Sequence, residues 1–280
     1  MTDLSIIIVN INNIRILKEC LDSVYRTTKK YTFEITVVDN GSTDGSQLMI
    51  KELFPQVKLI ENNENLGFAK ANNQGLKIAN GRYSLLLNND TIVKECAFDR
   101  MIEFMDKNPK VGACGPKLLN IDGMIQHQGS IIGKQFWRSM IPVEVDFVVG
   151  ACLMARKEAI DKVGLMDENL FFYNDDLDWC LSIRKAGYKV YYLPQAEVVH
   201  YGGYSNKGVF NRRIFVEGFN GGLYFTRKHY GVIPYFLYKV LLFAGIIIYL
   251  PFFLLSFPFK PEYFVDRLLA YLDILKASIS

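Results

Sequence analysis

The sequence predicts an α/β body built on a doubly wound sheet of mixed strand direction, flanked by helices and followed by a strongly apolar helical tail. Three observations carry that expectation. Short apolar runs alternate with segments of helical periodicity early in the chain, those runs end in polar residues, and residues 240–259 (VLLFAGIIIYLPFFLLSFPF) hold no charge. Alternation of this kind builds a parallel sheet with helices on both faces.

Residues 4–10 (LSIIIVN) are continuously apolar up to Asn10, as in a strand covered on both faces. Ile14, Leu17, Leu21, Val24 and Tyr25 then recur at helical spacing. Residues 33–38 make a second strand that breaks into the loop DNGSTDGS, and a helix after Asp44 carries Leu48, Ile50 and Leu53 to a stop at Pro55. Residues 57–60 are a third strand, FAKANNQGLKIANG a third helix ending at Gly81, and RYSLLLNN a fourth strand. Repeats of this length imply right-handed crossovers.

Beyond Asp90, a helix around residues 95–106 leads to VGACGPKLL, then to shorter strands and turns through GMIQHQGSIIG. VDFVVGACLMARKEAIDKVG reads as a strand turning into a helix that stops near Gly164. This half completes a mixed sheet and forms the second wall of a cleft. No Pro-, Gly- or Ser-rich linker interrupts the chain, so residues 1–231 read as one domain and 232–280 as a C-terminal apolar segment with an amphipathic helix.

Composition excludes several classes. The 280 residues carry a formal net charge of only +3, without the basic surplus of a nucleic-acid binder. Five widely spaced cysteines, none in a C-x-x-C pair, argue for reduced and mostly buried thiols, and against a disulfide framework or zinc site. MTDLSIIIVN reads as a strand and not as a signal peptide. G-x-x-x-x-G-K-[ST] is absent, and no G-x-G-x-x-G follows the first strand, which disfavours nucleoside-triphosphate hydrolysis and nicotinamide redox chemistry.

From residue 232 to 259 the single charge is Lys239. Twenty uncharged residues in one helix rise roughly 30 Å, the thickness of bilayer hydrocarbon. Pro251 and Pro258 leave open a kinked span or an element lying on the surface. Just upstream, Lys207, Arg212, Arg213, Arg227 and Lys228 are opposed by Glu217 alone, a balance suited to anionic headgroups on the cytoplasmic side. Phe264, Leu268, Leu272, Leu275 and Ile279 form a helical stripe that suits the membrane interface or packing on the body.

The polar strand ends are the candidate site, because ligands of doubly wound sheets lie beyond the carboxyl ends of the strands. Those ends are Asn10, Asp39 with Asn40, Glu61 with Asn62 and Asn63, and Asn88-Asn89-Asp90. Asp90 is the natural ligand there for a hard cation. The densest acidic cluster is FFYNDDLDWC, where Asn174 or Asp175 can cap a helix. Asp176 and Asp178 lie two 100° steps apart and cannot face one way, so one can reach a cleft as a general base. His200, after the strand YKVYYLPQAEVV, is either a hydrogen-bonded polar residue or a metal ligand.

SIIIVNINN, VVDNGSTDGS, NLGFAKANNQG, LLLNNDT, the stretch VVGACLMARKEAIDKVGLMDENLFFYNDDLDWCLSIRKAGYKV and VVHYGG occur in the order found in family 2 glycosyltransferases. Over residues 4–203 the chain resembles that family, inverting enzymes with the GT-A (nucleotide-diphospho-sugar transferase) fold, and most of all its bacterial rhamnosyltransferase-like branch. The resemblance implies a Rossmann-like mixed sheet, and places Asn10 and Asp39 in the nucleotide pocket, with Gly67 and Asn72 in a stretch approaching the nucleotide-sugar. The family's D-x-D falls on Asn88-Asn89-Asp90, so only Asp90 carries over as a metal ligand, with the two asparagines on the donor side. Asp176 occupies the position of the family's base. Asp175 and Asp178 would support it, Trp179 would contact the acceptor sugar, and His200 would complete the coordination of Mg²⁺ or Mn²⁺.

On that resemblance the expected donor is a UDP- or dTDP-sugar, and the expected acceptor a glycan, lipid-linked in view of the apolar tail. The expected place is the cytoplasmic face of the inner membrane, among its lipids, in cell-surface polysaccharide synthesis; nucleic acid is not an expected partner. A sugar-nucleotide pyrophosphorylase is disfavoured because NINNIR is not a Gly-rich basic phosphate loop. A non-catalytic membrane scaffold that binds nucleotide-sugar or glycan stays open, because the D-x-D is incomplete.

Overall fold

The computed structural model describes residues 2–128, 135–171, 173–202, 210–255 and 264–279. The expected turns at residues 129–133, and Phe172, Gly203, Lys207 and Pro258, lie outside the described residues. Two compact units divide the rest. One holds the described chain to Gly202 except residues 169–174; the other holds residues 169–174 and the chain from Phe210.

The first unit is the sheet. Strands β1 (Leu4–Asn10), β2 (Phe33–Asp39), β3 (Lys58–Glu61) and β4 (Tyr83–Asn88) alternate with helices α1 (Ile14–Thr27), α2 (Ser46–Leu53) and α3 (Phe68–Lys77). The chain continues through β5 (Thr91–Val93), α4 (Ala97–Lys107), β6 (Val111–Leu119), β7 (Val143–Glu144), β8 (Cys152–Arg156), α5 (Lys157–Val163), α6 (Asp175–Lys185) and β9 (Lys189–His200). The strand order is β3-β2-β1-β4-β8-β6-β9-β5, with β7 beside β9. β1 to β4 are mutually parallel, β8 is antiparallel to β4 and β6, and β9 runs parallel to β6 but antiparallel to β5. This is the mixed sheet expected.

The period-2 alternation of a strand explains why both sides are helical. On β1, Ile6 and Ile8 join a core with Leu17, Leu21 and Phe98, whereas Ile7 joins the opposite core with Leu76 and Trp179. Third-helix geometry departs from expectation: α3 ends at Lys77, four residues before Gly81. The Ser5 hydroxyl accepts the amides of Asn80 and Gly81 at 3.1 and 2.8 Å and draws the chain onto the start of β1. A Cβ on Gly81 would lie 2.6 Å from the backbone of Ser5, so only glycine fits that approach.

The long strand β9 is bent at its middle. Pro116 of β6 opposes Leu193, but the next residue, Lys117, opposes Glu197, so the segment containing Pro194 is left out of the ladder. A bulge at a proline re-aims the strand. The re-aimed end pairs with β5 and brings His200 opposite Thr91.

The second unit is helical: α7 (Arg212–Tyr230), α8 (Val232–Leu255) and α9 (Phe264–Ile279). Leu223, Leu242, Ile246 and Ile274 form its core, with Phe215 and Tyr271 packed against them. The Asn211 side chain caps α7 by accepting from the Ile214 amide at 3.1 Å. Gly231, with φ +87°, turns the chain into α8 within one residue. The expected division at residue 231 therefore falls at a turn between helices that share one core, and α7 groups with the tail. Pro251 lies inside α8.

Candidate active site

Four parallel strands deliver their polar ends to one edge. Register places Asn10 beside Asp39, Val9 beside Asn88, and Asp39 beside Glu61. Asn10 donates from Nδ2 to Asp39 Oδ2 at 3.0 Å and to Ser42 Oγ at 3.2 Å, and accepts from Asn89 Nδ2 at 2.7 Å. Asp39 Oδ1 accepts from the Ser42 amide and from Gln47 Nε2, both at 2.8 Å. Asp39 is fully buried in this network, with Asn10 and Asn89 nearly so. A buried carboxylate saturated with donors stays in place and orders the loop that follows it.

The loop before α3 is tied to the same edge. Asn40 Nδ2 donates to the Gly67 carbonyl at 3.3 Å, and the Gly67 amide donates to Asn65 Oδ1 at 2.9 Å. Gly67 has φ +84°, in the left-handed region that favours glycine. Asn72, expected in the donor stretch, is buried and spends its Nδ2 on the Phe68 carbonyl at 3.0 Å, so it holds the first turns of α3 together.

Asp90 and His200 meet although far apart in the chain. The bend in β9 leaves His200 Nε2 3.3 Å from Asp90 Oδ1 and 3.3 Å from Asn88 Nδ2, and the Tyr201 amide donates to the Asp90 carbonyl at 2.9 Å. His200 Nδ1 lies 2.8 Å from Gln126 Oε1. In the tautomer with its proton on Nδ1, His200 donates to the Gln126 oxygen and turns its Nε2 lone pair toward Asp90. No group of three His, Cys, Asp or Glu side chains gathers among the described residues. The donor set here is thus one carboxylate and one imidazole. That pair could contribute two ligands to a divalent cation, with the other positions left to oxygen donors from outside the chain.

The acidic helix reaches the same edge through a turn that sequence reasoning missed. The Gly150 amide donates to Asp176 Oδ2 at 2.9 Å, and the next residue, Ala151, accepts the Asn88 amide through its carbonyl at 2.9 Å. A Cβ on Gly150 would lie 3.3 Å from the Phe68 ring and 3.5 Å from Asp176 Cβ. The end of β4, the start of α3 and the first turn of α6 therefore converge on residues 150–151. Asp176 is partly exposed at this junction, and its Oδ1 accepts the Leu177 amide at 2.8 Å. Although the residue keeps some exposed surface, its carboxyl is packed deeply enough that desolvation raises it above the usual carboxylate range.

Asp175 is buried, with no hydrogen-bond partner for Oδ2. Burial, and then the neighbouring Asp176 charge, push its carboxyl up to about 7. Asp178 is buried. Trp179, expected to contact the acceptor, is 1% exposed, and its Nε1 donates to the Gly164 carbonyl at 3.0 Å. It belongs to the same buried cluster as Cys180 and Ile183 of α6.

Comparison with known proteins identifies the family and the fold. A family model described as Glycosyl transferase family 2 matches residues 5–164, and one described as Glycosyl transferase family group 2 matches residues 85–265. The chain is 27% identical to the O-antigen biosynthesis protein RfbC of Myxococcus xanthus, over 66% of this chain but 16% of that one. It is also 27% identical to an N-acetylglucosaminyl-diphospho-decaprenol L-rhamnosyltransferase of Mycobacterium tuberculosis, over 61% of this chain and 67% of that one. It therefore spans about a sixth of the length of the first relative and two thirds of the second. The GT-A fold is shared with a mannosyltransferase from Pyrobaculum calidifontis solved with GDP-Man and Mn²⁺. That likeness has a TM-score of 0.61 at 17% identity and covers 99% of this chain and 88% of that one. With more than half of its residues matched and a GT-A sheet beneath them, the chain belongs to glycosyl transferase family 2 and is similar to its rhamnosyltransferase-like branch.

Proposed function

We propose that the chain transfers a sugar from a nucleoside-diphosphate sugar to a hydroxyl of a lipid-linked glycan, inverting the anomeric centre, in bacterial cell-surface polysaccharide synthesis. The observation that carries this reading is the junction at residues 150–151, which ties Asp176 to the strand end bearing Asp90. An acceptor base and a donor-phosphate site must be neighbours for in-line displacement. The relatives in O-antigen and decaprenol-linked glycan chemistry support the class of acceptor, and UDP or dTDP is the donor nucleotide we favour.

In this reading Asn10, Asp39 and Gly67 shape the nucleotide side, with Asn88 and Asn89 beside the diphosphate. Asp176 Oδ2, held by the Gly150 amide, takes the proton of the attacking hydroxyl. Its raised pKa brings the base nearer to the acidity it must match. Asp175 and Asp178 hold the first turn of α6 around it. Asp90 and His200 would hold Mg²⁺ or Mn²⁺, which when bound supplies positive charge against the leaving diphosphate. The chain would act at the cytoplasmic face of the membrane.

The test is Asp176→Asn, followed by transfer rate and donor binding. The expected result is a loss of ~10²–10⁴-fold in kcat with donor affinity kept. The acid limb of the wild-type rate profile should lie above the usual carboxylate range and vanish in the variant, because the rate falls as the base becomes protonated. Normal transfer by the variant would overturn the assignment. Donor binding without turnover on any acceptor would instead favour the scaffold reading.

A further inference from the structure

The helical unit has two unlike sides. On α8 the residues facing its core are Lys239, Leu242, Ile246 and Phe253, spaced three, four and seven apart. The other side carries Ile233, Leu241, Ile248 and Leu255, exposed by 76, 71, 67 and 74%. Their spacing of seven or eight residues places them on one stripe. The lone charge of α8 does not interrupt it, because Lys239 is 6% exposed and lies over the Tyr235 ring at 5.2 Å.

Charged side chains gather instead on α7 and α9. An open cleft of about 410 Å³ is lined by Arg212, Arg213, Val216, Glu217 and Asp273, contributed by α7 and α9. Arg212 and Asp273 pair across those helices. Exposed Arg227 and Lys228 close α7, immediately before the turn into α8.

We propose that the outward stripe of α8 docks in the plane of an anionic lipid surface, with α7 and α9 on the water side, and does not cross the bilayer. The proposal rests on the membrane-linked reading above and specifies how the chain meets that membrane. A helix of 24 residues rises about 36 Å, enough to cross. But α8 shares one core with α7 and α9, so crossing would carry Glu217, Asp273 and Lys276 to bilayer depth, where charged side chains are heavily penalised. Lying flat exposes only apolar side chains to acyl tails and sets Arg227 and Lys228 at headgroup level, opposite in sign to the lipid.

Depth-dependent quenching on the full chain decides between the two. Tryptophan is introduced singly by Ile233→Trp, Leu241→Trp, Ile248→Trp and Leu255→Trp, and the protein is mixed with phosphatidylcholine–phosphatidylglycerol vesicles brominated at defined acyl positions. Native Trp137 and Trp179, both buried, give a constant background. The expected result is one shallow depth at all four positions. Arg227→Gln and Lys228→Gln should each lower partitioning by about fivefold on anionic vesicles only. Leu241→Trp and Ile248→Trp reporting the bilayer centre, with the other two near opposite headgroups, would overturn the proposal in favour of a span. Absence of vesicle binding would overturn it in favour of a protein-covered face. Sugar transfer to a soluble acceptor, measured on the same samples, reads the activity separately: active protein that ignores vesicles defeats the docking alone, and docked but inactive protein defeats the activity alone.

Discussion

The bend of β9 brings His200 to Asp90, and Gln126 holds the other ring nitrogen, an arrangement that makes a measurable claim. With Nδ1 held by the Gln126 oxygen at 2.8 Å, Nε2 is left free to join Asp90 as a ligand. Two protein donors bind a cation weakly unless the nucleotide supplies more. A titration with Mn²⁺ should therefore show weak binding to the empty protein and tighter binding once donor nucleotide is present. Gln126→Ala should weaken the nucleotide-dependent step by about 10–100-fold, as loss of a ligand's supporting bond does. Asp90→Ala should abolish it. Tight binding without nucleotide, indifferent to Asp90→Ala, would sink the assignment. Asp90 was legible because an apolar strand turns acidic there. His200 was legible only through the family pattern, and Gln126, an uncharged residue in a loop, gave no signal at all.

Helix α6 opens with Asp175, Asp176 and Asp178, and its first turn stores a pH-dependent cost. Asp175 sits buried with its carboxyl raised from the usual 3.8 to about 7. The folded protein therefore holds a proton that the unfolded chain has already released between those values. The corresponding stability is fully present below about 3.8 and is lost as pH rises through about 7. Asp175→Asn, which cannot ionise, should raise the melting temperature at pH 8 by a few degrees, and the difference should shrink toward pH 4. An equal shift at both pH values would show that packing, not ionisation, decides. Elements such as α6 and β1 were legible because their patterns are strong. Helix α7 was not, since Gly218, Gly221 and Gly222 dilute its apolar period; Tyr238 of α8 occupies the space that a Cβ on Gly222 would need. The bend of β9 was hidden too: Pro194 looks like any strand-interior proline until its partner strand is known.

Across the whole molecule the chain leaves the sheet unit at Asn169, returns at Asp175, and so runs through the helical unit immediately before the first turn of α6. Within that helical unit Asn174 Nδ2 donates to the Gly218 carbonyl at 3.0 Å, and the Arg213 guanidinium stacks on Phe171 at 4.0 Å. Tyr173 and Asn174 both adopt left-handed backbone, with φ of +65° and +64°. Two successive non-glycine residues in that region cost of order 1–3 kcal/mol each, and they persist only where contacts hold them. Asparagine tolerates the conformation better than alanine does. Asn174→Ala removes both the tolerance and the amide bond, while Asn174→Gly removes the bond alone. Because the segment continues without a break into Asp175 and Asp176, its release should misplace the base and leave the nucleotide edge of the sheet intact. The expected kinetics are a fall in kcat of about ten- to a hundredfold for Asn174→Ala at nearly unchanged donor KM, and a smaller fall for Asn174→Gly. A parallel loss of donor affinity would mean that the segment supports the sheet as a whole. An unchanged kcat would mean that the Gly150 amide alone suffices to hold Asp176.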